Sequence, residues 1–215
     1  MKKRNLCISG GLILIAVIFT ILIKVVDVKA VGVNNSNIGF STVNKFVSEK
    51  IGVNMLWYNI TDWLGVIPIL LALGYAVIGG IQIVKRKSIL KVDKEIIMLG
   101  VFYIIIVALY VLFEKLSLNY RPILINEIAE ASYPSSHTLM SVCICGSAIL
   151  VNKKLFNNKI AKIINILSLV LIVAIVAGRL ISGVHWFTDI IGGILISSAL
   201  LMSLYTALNN GKTSK

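Results

Sequence analysis

Residues 96–113 read IIMLGVFYIIIVALYVLF, an uninterrupted apolar stretch without a single charged residue. A helix needs roughly 20 mostly apolar residues to cross the hydrocarbon core of a bilayer, so this stretch predicts a membrane-spanning helix. The whole chain has the same character: 58% of its residues are hydrophobic and 14% are charged, whereas about a quarter are charged in an ordinary soluble domain. The sequence therefore predicts an integral membrane protein.

Apolar stretches on both sides of this one complete an all-α bundle of six transmembrane helices. The predicted spans are residues 7–26, 64–84, 96–113, 138–152, 163–178 and 189–207. The first stretch has an alternative interpretation as a cleaved signal peptide, because it has a basic start and is followed by Val28-Lys29-Ala30. Cleavage would leave five spans with the same orientation.

The basic residues predict how the bundle is oriented. Fourteen of the 21 Lys and Arg residues lie at the two termini and in the second and fourth loops, whereas six lie in the first, third and fifth loops. Because the basic side of a membrane protein faces the cytoplasm, both termini are expected inside and the odd loops outside. The net charge of +12 could suggest a nucleic-acid-binding protein. The basic residues are scattered between apolar blocks, however, and do not form the single basic face that nucleic acid would need.

Three polar clusters follow or precede predicted spans, and all three fall in odd loops. The first contains Lys115 and Arg121, the second contains His137, and the third contains His185 and Asp189. The two histidines are the only ones in the chain. Since the assignment of sides did not use these residues, their common location predicts one shared site at the outer face.

The residue types in these clusters suit phosphoryl transfer, which needs fixed positive charge around the phosphate oxygens, a nucleophile and a proton source. Arg121 and Arg179 can bind phosphate oxygens bidentately. Ser135 precedes a helix whose free backbone N–H groups favour an anion. The arginines also have a purely structural interpretation, because an arginine near a span often extends its side chain to the lipid headgroups.

The two histidines can divide the remaining work. Neutral His185 can attack phosphorus if a carboxylate holds its other ring nitrogen, and Asp189 lies four residues later. Asp189 could equally be a helix N-cap. His137 can protonate the departing oxygen.

Together the clusters resemble the signature of the type-2 phosphatidic acid phosphatase superfamily, membrane lipid phosphatases related to vanadium haloperoxidases. That signature is Lys-x6-Arg-Pro, then Pro-Ser-Gly-His, then Ser-Arg-x5-His-x3-Asp. The spacing Arg179-x5-His185-x3-Asp189 matches in full, and Pro134-Ser135-x-His137 matches in three of four positions. The resemblance covers roughly residues 64–207.

The resemblance implies a metal-independent reaction without a cofactor, through a phosphohistidine at His185. It implies that Asp189 orients this histidine and that His137 is the general acid. The phosphate ligands expected from it are Arg121, Arg179, Ser135, Ser136 and Lys115.

This sequence departs from the signature at three positions. Lys115 is one residue late, with Glu114 at the expected position, and one residue turns a helical side chain by about 100°. Ser136 replaces the glycine of the second motif, and Gly178 replaces the serine of the third.

The resemblance predicts a lipid phosphatase core at residues 64–207, preceded by the first helix and an outer amphipathic segment (1–63) and followed by a cytoplasmic tail (208–215). Aromatic and apolar residues interspersed in residues 38–63 predict one or two helices on the membrane surface, serving as a rim for a lipid substrate or as a packing collar.

The expected substrate is a lipid of the cell membrane, with the bilayer itself as the other partner. A polyprenyl diphosphate such as the undecaprenyl carrier is favoured, and phosphatidate and phosphatidylglycerophosphate are the alternatives. A metallohydrolase that uses His137, His185, Asp189 and Glu130 is a second class. A lipid transporter or an inactive relative is the non-enzymatic class.

Overall fold

The computed structural model describes residues 2–125 and 127–209. The helices are α1 (Lys2–Val25), α2 (Ser41–Ile51), α3 (Met55–Leu64), α4 (Val66–Arg86), α5 (Lys94–Leu116), α6 (Ser136–Leu155), α7 (Asn158–Ile181) and α8 (Phe187–Asn209). Two short strands, β1 (Lys29–Ala30) and β2 (Asn37–Ile38), pair antiparallel between α1 and α2. Most of the predicted tail, including Lys212 and Lys215, lies outside the described residues.

Six helical segments of the described chain are long and apolar enough to cross a membrane, which confirms the predicted all-α, six-span bundle. They are longer than the predicted apolar stretches because polar and charged residues continue the helices at their ends. At the start of α7, for example, the Asn157 side chain accepts a hydrogen bond from the Ile160 amide at 3.0 Å, a helix N-cap.

The segment predicted to lie on the membrane surface does contain helices α2 and α3. Gly65 alone separates α3 from α4, and the two together form a 32-residue apolar segment, Met55–Arg86. The structure thus lengthens the second span toward its N-terminal end. The location of α2 on the membrane surface stays a prediction.

Helix α6 lies at the centre of the bundle and packs mainly against α7 and α8. Small residues make this possible, since a Cβ at Gly146 would lie 2.5 Å from Leu201 and one at Gly193 would lie 2.9 Å from Thr138. Close approach of backbones at small residues is typical of helices in lipid. Helix α1 packs along α8, and Ser9 Oγ lies 2.8 Å from Ser203 Oγ.

The two connections that carry the polar clusters meet the first connection at one end of the bundle. These three connections are the first (residues 26–54), the third (117–135) and the fifth (182–186). The amide of Asn54 donates to the carbonyl of Ser182 at 3.0 Å, and Trp186 Nε1 donates to the carbonyl of Tyr120 at 2.7 Å.

The third connection folds back on itself, which brings its two ends together. The Arg121 amide donates to the Glu130 carbonyl at 3.0 Å, and the Ser132 amide donates to the Asn119 carbonyl at 2.8 Å. This hairpin-like path places Arg121, the arginine of the first motif, beside the residues that precede α6.

Candidate active site

A cavity of about 360 Å³ opens at this end of the bundle, between the ends of α5 and α6 and the third and fifth connections. Both histidines line it, together with Arg121 and Ser136. Arg121 and His185, which are more than 60 positions apart in the sequence, therefore line the same cavity. This is the meeting of motifs that the sequence predicts.

His185 lies in the fifth connection and is buried, with 4% of its surface exposed. Its Nδ1 is 3.0 Å from the Ser132 hydroxyl, and its Nε2 is buried without a hydrogen-bond partner. Burial and the positive charges of Arg121 and Arg179 lower the pKa of His185 well below its ordinary value. The imidazole is therefore neutral near pH 7, which is the form that can act as a nucleophile.

The sequence predicts that Asp189 holds His185 directly. In the structure the two side chains do not contact each other, and Ser132 lies between them. The Ser132 hydroxyl donates to Asp189 Oδ2, and the same carboxylate oxygen accepts the Trp186 amide at 3.0 Å. Asn119 Nδ2 donates to the other oxygen at 3.3 Å. With three donors the buried carboxylate is hydrogen-bonded on both oxygens, and it reaches the imidazole through the serine.

The two arginines approach the site from different elements. Arg179, on the last turn of α7, is completely buried; its Nη2 lies 2.9 Å from Asp62 Oδ1, and its Nε and Nη1 have no partner. Arg121 is 8% exposed; its Nε lies 3.1 Å from Glu130 Oε2 as an ion pair, and neither Nε nor Nη1 has a hydrogen-bond partner. Each guanidinium group is anchored by one carboxylate and keeps free donors.

The start of α6 contributes the second motif. The Ser135 hydroxyl is buried without a partner, but its amide already donates to the Asp189 carbonyl at 3.0 Å. The free amides of this helix must therefore come from the residues that follow, Ser136 to Thr138, whose N–H groups have no partner within the helix. His137 lies in this first turn; its Nε2 is 3.2 Å from Asp62 Oδ1, and its Nδ1 has no partner.

Lys115, expected as a phosphate ligand, is exposed and is not among the side chains that line the cavity. Glu114 lines the cavity instead. The offset of one residue accounts for the difference, because neighbouring side chains on a helix point about 100° apart. The structure thus leaves the exposed Lys115 side chain outside the cavity.

Three residues of the site were not predicted from the sequence: Ser132, Asn119 and Asp62. The first two reach Asp189 only because the third connection folds back, and nothing in their local sequence indicates this. Asp62 did carry a signal, because it is the only acidic residue within the apolar segment Met55–Arg86. Ionisable residues in such segments often mark functional sites.

Buried polar atoms without partners concentrate in this site. They are Asn119 Oδ1, Arg121 Nε and Nη1, Ser135 Oγ, His137 Nδ1, Thr138 Oγ1, Arg179 Nε and Nη1, and His185 Nε2. A buried polar group without a hydrogen bond costs about 1–3 kcal/mol, so such a concentration indicates a ligand. Donors predominate in this set, which suits an anion. Within residues 2–125 and 127–209, no group of three or more His, Cys, Asp or Glu side chains could hold a metal ion.

Comparison with known protein families gives a match between the PAP2 superfamily and residues 98–212. The chain belongs to the PAP2 superfamily. The matched region contains all three polar clusters and the cavity residues of α5, α6 and the fifth connection.

A solved structure shares the fold of this PAP2 chain. It is the crystal structure described as the first transmembrane PAP2 type phosphatidylglycerolphosphate phosphatase from Bacillus subtilis. The TM-score is 0.61 at 21% sequence identity, covering 96% of this chain and 98% of the other. A comparison with curated protein sequences gives no match. The chain therefore has the fold of a membrane PAP2 phosphatase over nearly its whole length.

Proposed function

We propose that this protein is a membrane phosphatase that hydrolyses a lipid phosphate or diphosphate ester through a phosphohistidine at His185. The observation that carries the proposal is the set of unpartnered polar atoms of Arg121, His137 and His185, which line one cavity. Unpartnered atoms of Ser135 and Arg179 lie next to them, since Ser135 precedes α6 and Arg179 shares Asp62 Oδ1 with His137. Membership of the PAP2 superfamily supports the same reaction class.

In the first step, Nε2 of neutral His185 attacks the terminal phosphorus and the bond from that phosphorus to the departing oxygen breaks. The departing oxygen is the ester oxygen of a lipid monophosphate or the bridging oxygen of a lipid diphosphate. His137 gives a proton to the departing oxygen. Arg121 and Arg179, with Ser135 and the amides at the start of α6, bind the equatorial oxygens, where charge builds up. The Nδ1 proton of His185 remains on that nitrogen, held by Ser132.

In the second step, a water molecule attacks the phosphohistidine and His137 accepts its proton. The bond between nitrogen and phosphorus breaks, inorganic phosphate leaves and neutral His185 is restored. The fixed positive charge comes from the two arginines, so the proposed reaction needs no metal ion and no cofactor.

The substrate we favour is a polyprenyl diphosphate such as undecaprenyl diphosphate, presented at the outer face of the cell membrane. Phosphatidylglycerophosphate is the second candidate, because the similar solved structure is described as a phosphatase for that lipid. Both share the chemistry on which the proposal depends, a phosphate group on a lipid that remains in the bilayer.

A phosphate-release panel on the purified protein in detergent tests the proposal. It compares undecaprenyl diphosphate, phosphatidate and phosphatidylglycerophosphate, with and without prolonged chelation of metal ions. We expect release from at least one lipid, unchanged by chelation and abolished in His185→Gln. A matched control is Lys115→Ala, which removes an exposed charged side chain near the end of α5, outside the cavity, and should stay within about threefold of the parent.

Two results would overturn the proposal. Loss of activity on chelation would favour a metallohydrolase. Absence of phosphate release from every lipid, together with lipid flux across liposomes that His185→Gln does not alter, would favour a transporter or an inactive relative.

A further inference from the structure

Asp62 connects the two groups on which the proposed chemistry depends most. A single carboxylate oxygen, Oδ1, lies 3.2 Å from His137 Nε2 and 2.9 Å from Arg179 Nη2. Asp62 belongs to α3, an element that carries none of the three sequence motifs. Of its side chain, 53% remains exposed, and together with His137 it lines a second cavity of about 280 Å³ beside the first.

The backbone around Asp62 is fitted closely to the two partners. A Cβ at Gly65 would lie 2.6 Å from His137 Cδ2, and a Cβ at Gly178 would lie 2.3 Å from Thr61 Cγ2. Both glycines therefore allow α3 to come into contact, one with the ring of His137 and the other with the last turns of α7. The neighbours of Thr61 and Gly178 in the sequence are Asp62 and Arg179, which pair directly.

The pairing leaves one nitrogen of His137 for chemistry. Nε2 is directed to Asp62, whereas Nδ1 is buried without a partner and its ring lines the cavity. A general acid at this position carries a positive charge beside Arg121 and Arg179, which repel it. The Asp62 carboxylate lies 3.2 Å from the ring, and its negative charge offsets the repulsion by the two arginines.

We propose that Asp62 is the positioning residue of the general acid. It accepts a hydrogen bond from Nε2 of the His137 imidazolium, so that Nδ1 delivers its proton to the departing lipid oxygen. After that transfer, His137 is neutral and keeps its proton on Nε2. The water of the second step returns a proton to Nδ1. This inference rests on the proposed phosphatase activity and adds to it the source and direction of the proton.

The test uses two substrates with the same tail and different leaving oxygens, decyl phosphate and 4-decyl-2-nitrophenyl phosphate. An alkoxide must be protonated as it leaves, whereas a nitrophenolate leaves without a proton. Because a general acid contributes about 100-fold or more, Asp62→Asn should lower kcat/KM on decyl phosphate by about 100-fold and on the aryl ester by no more than about threefold.

The matched control is Asp27→Asn. Asp27 is an aspartate of the first connection that pairs with Lys29 at 3.0 Å, away from the cavity, and its replacement should leave both substrates unchanged. A second variant protects the test against misfolding of Asp62→Asn. Gly65→Ala inserts a Cβ against the His137 ring and should produce the same selective loss on decyl phosphate.

Equal losses on the two esters in both variants, or full activity of Asp62→Asn on decyl phosphate, would overturn the role of Asp62 while leaving the phosphatase intact. A parent protein that releases no phosphate from either ester or from any lipid would instead overturn the proposed function itself.

Discussion

The nucleophile of this site is held by a hydroxyl group. Because Ser132 donates its proton to Asp189, its oxygen accepts from Nδ1 of His185 at 3.0 Å. That direction of bonding fixes the proton on Nδ1 and leaves a lone pair on Nε2, the atom without a partner. The serine therefore selects the reactive tautomer, a role that the sequence analysis gave to Asp189 alone.

Replacing Ser132 by Ala should lower kcat on the preferred lipid substrate. Without the Ser132 hydroxyl, the imidazole of His185 loses the hydrogen bond that orients it and Asp189 has one donor fewer. A misplaced reacting group can lower the rate about 100-fold. Steady-state kinetics measure this, with Ser203→Ala as the control because Ser203 bonds to Ser9 on a distant part of the bundle. An unchanged kcat in Ser132→Ala would mean that Asp189 needs no intermediary.

The depressed pKa of His185 predicts how activity depends on pH. Only the neutral imidazole attacks, so the acid limb of kcat/KM should lie below pH 6.5, the ordinary value for histidine. Arg121→Gln removes one of the positive charges that disfavour the imidazolium, so the pKa should rise and the limb should move to higher pH. The comparison uses decyl phosphate for both proteins, so titration of the substrate cancels. A shift to lower pH would contradict the assignment.

At this scale the sequence predicted the residues whose spacing defines the motifs, and the structure brings Arg121, His137 and His185 to one cavity. It could not predict the residues that support them. Ser132 and Asn119 reach Asp189 through a fold in the third connection, and Asp62 comes from another helix. Such contacts depend on tertiary packing, which leaves no local pattern.

Among the elements, the contact between α3 and α7 explains a departure from the family signature. Gly178 stands where the signature has a serine, and a Cβ there would lie 2.3 Å from Thr61 Cγ2. The glycine thus permits the helix contact that brings Asp62 to Arg179. The serine hydroxyl of the signature is absent here because a side chain at position 178 would collide with Thr61.

Restoring the serine should therefore harm the protein. Gly178→Ser should lower the free energy of unfolding by about 1–3 kcal/mol, the usual cost of overpacking, and lower activity as Asp62 moves away from Arg179. Thr61→Ser removes Cγ2 and keeps the hydroxyl that bonds to the carbonyls of Trp57 and Tyr58. The double variant should recover most of the loss in thermal unfolding assays. A stable, fully active Gly178→Ser single variant would contradict this explanation.

The helices themselves were largely predictable, because apolar length decides whether a helix can cross a bilayer. All six spans are present, and the small residues of α6 suit its central place. The ends were not predictable from hydropathy alone. Helix α4 continues through Lys85 and Arg86, whose long side chains can extend to the polar boundary, and α3 adds a further stretch before Gly65.

For the whole molecule, the contacts among the first, third and fifth connections put every motif at one end of the bundle. The excess of basic residues at the opposite end places the site outside the cytoplasm in our proposal. A lipid phosphate in the outer leaflet would then reach the cavity without leaving the membrane.

Cysteine labelling of intact cells tests this orientation. In a Cys7→Ser background, since Cys7 is exposed, Lys45→Cys on α2 should react with an impermeant maleimide. Lys87→Cys, in the connection between α4 and α5, should react only after permeabilisation. Both lysines are exposed, so a reversed pattern of labelling would place the site on the cytoplasmic face.

The most direct test of the account is to identify the residue that carries phosphate during turnover. In His137→Ala supplied with 4-decyl-2-nitrophenyl phosphate, the first step needs no acid and the second lacks its base, so the covalent intermediate should accumulate. Quenching in alkali and mapping the phosphate by mass spectrometry should find it on His185, and His185→Gln should carry none. Phosphate on any other residue, or continued turnover in His185→Gln, would contradict the central claim.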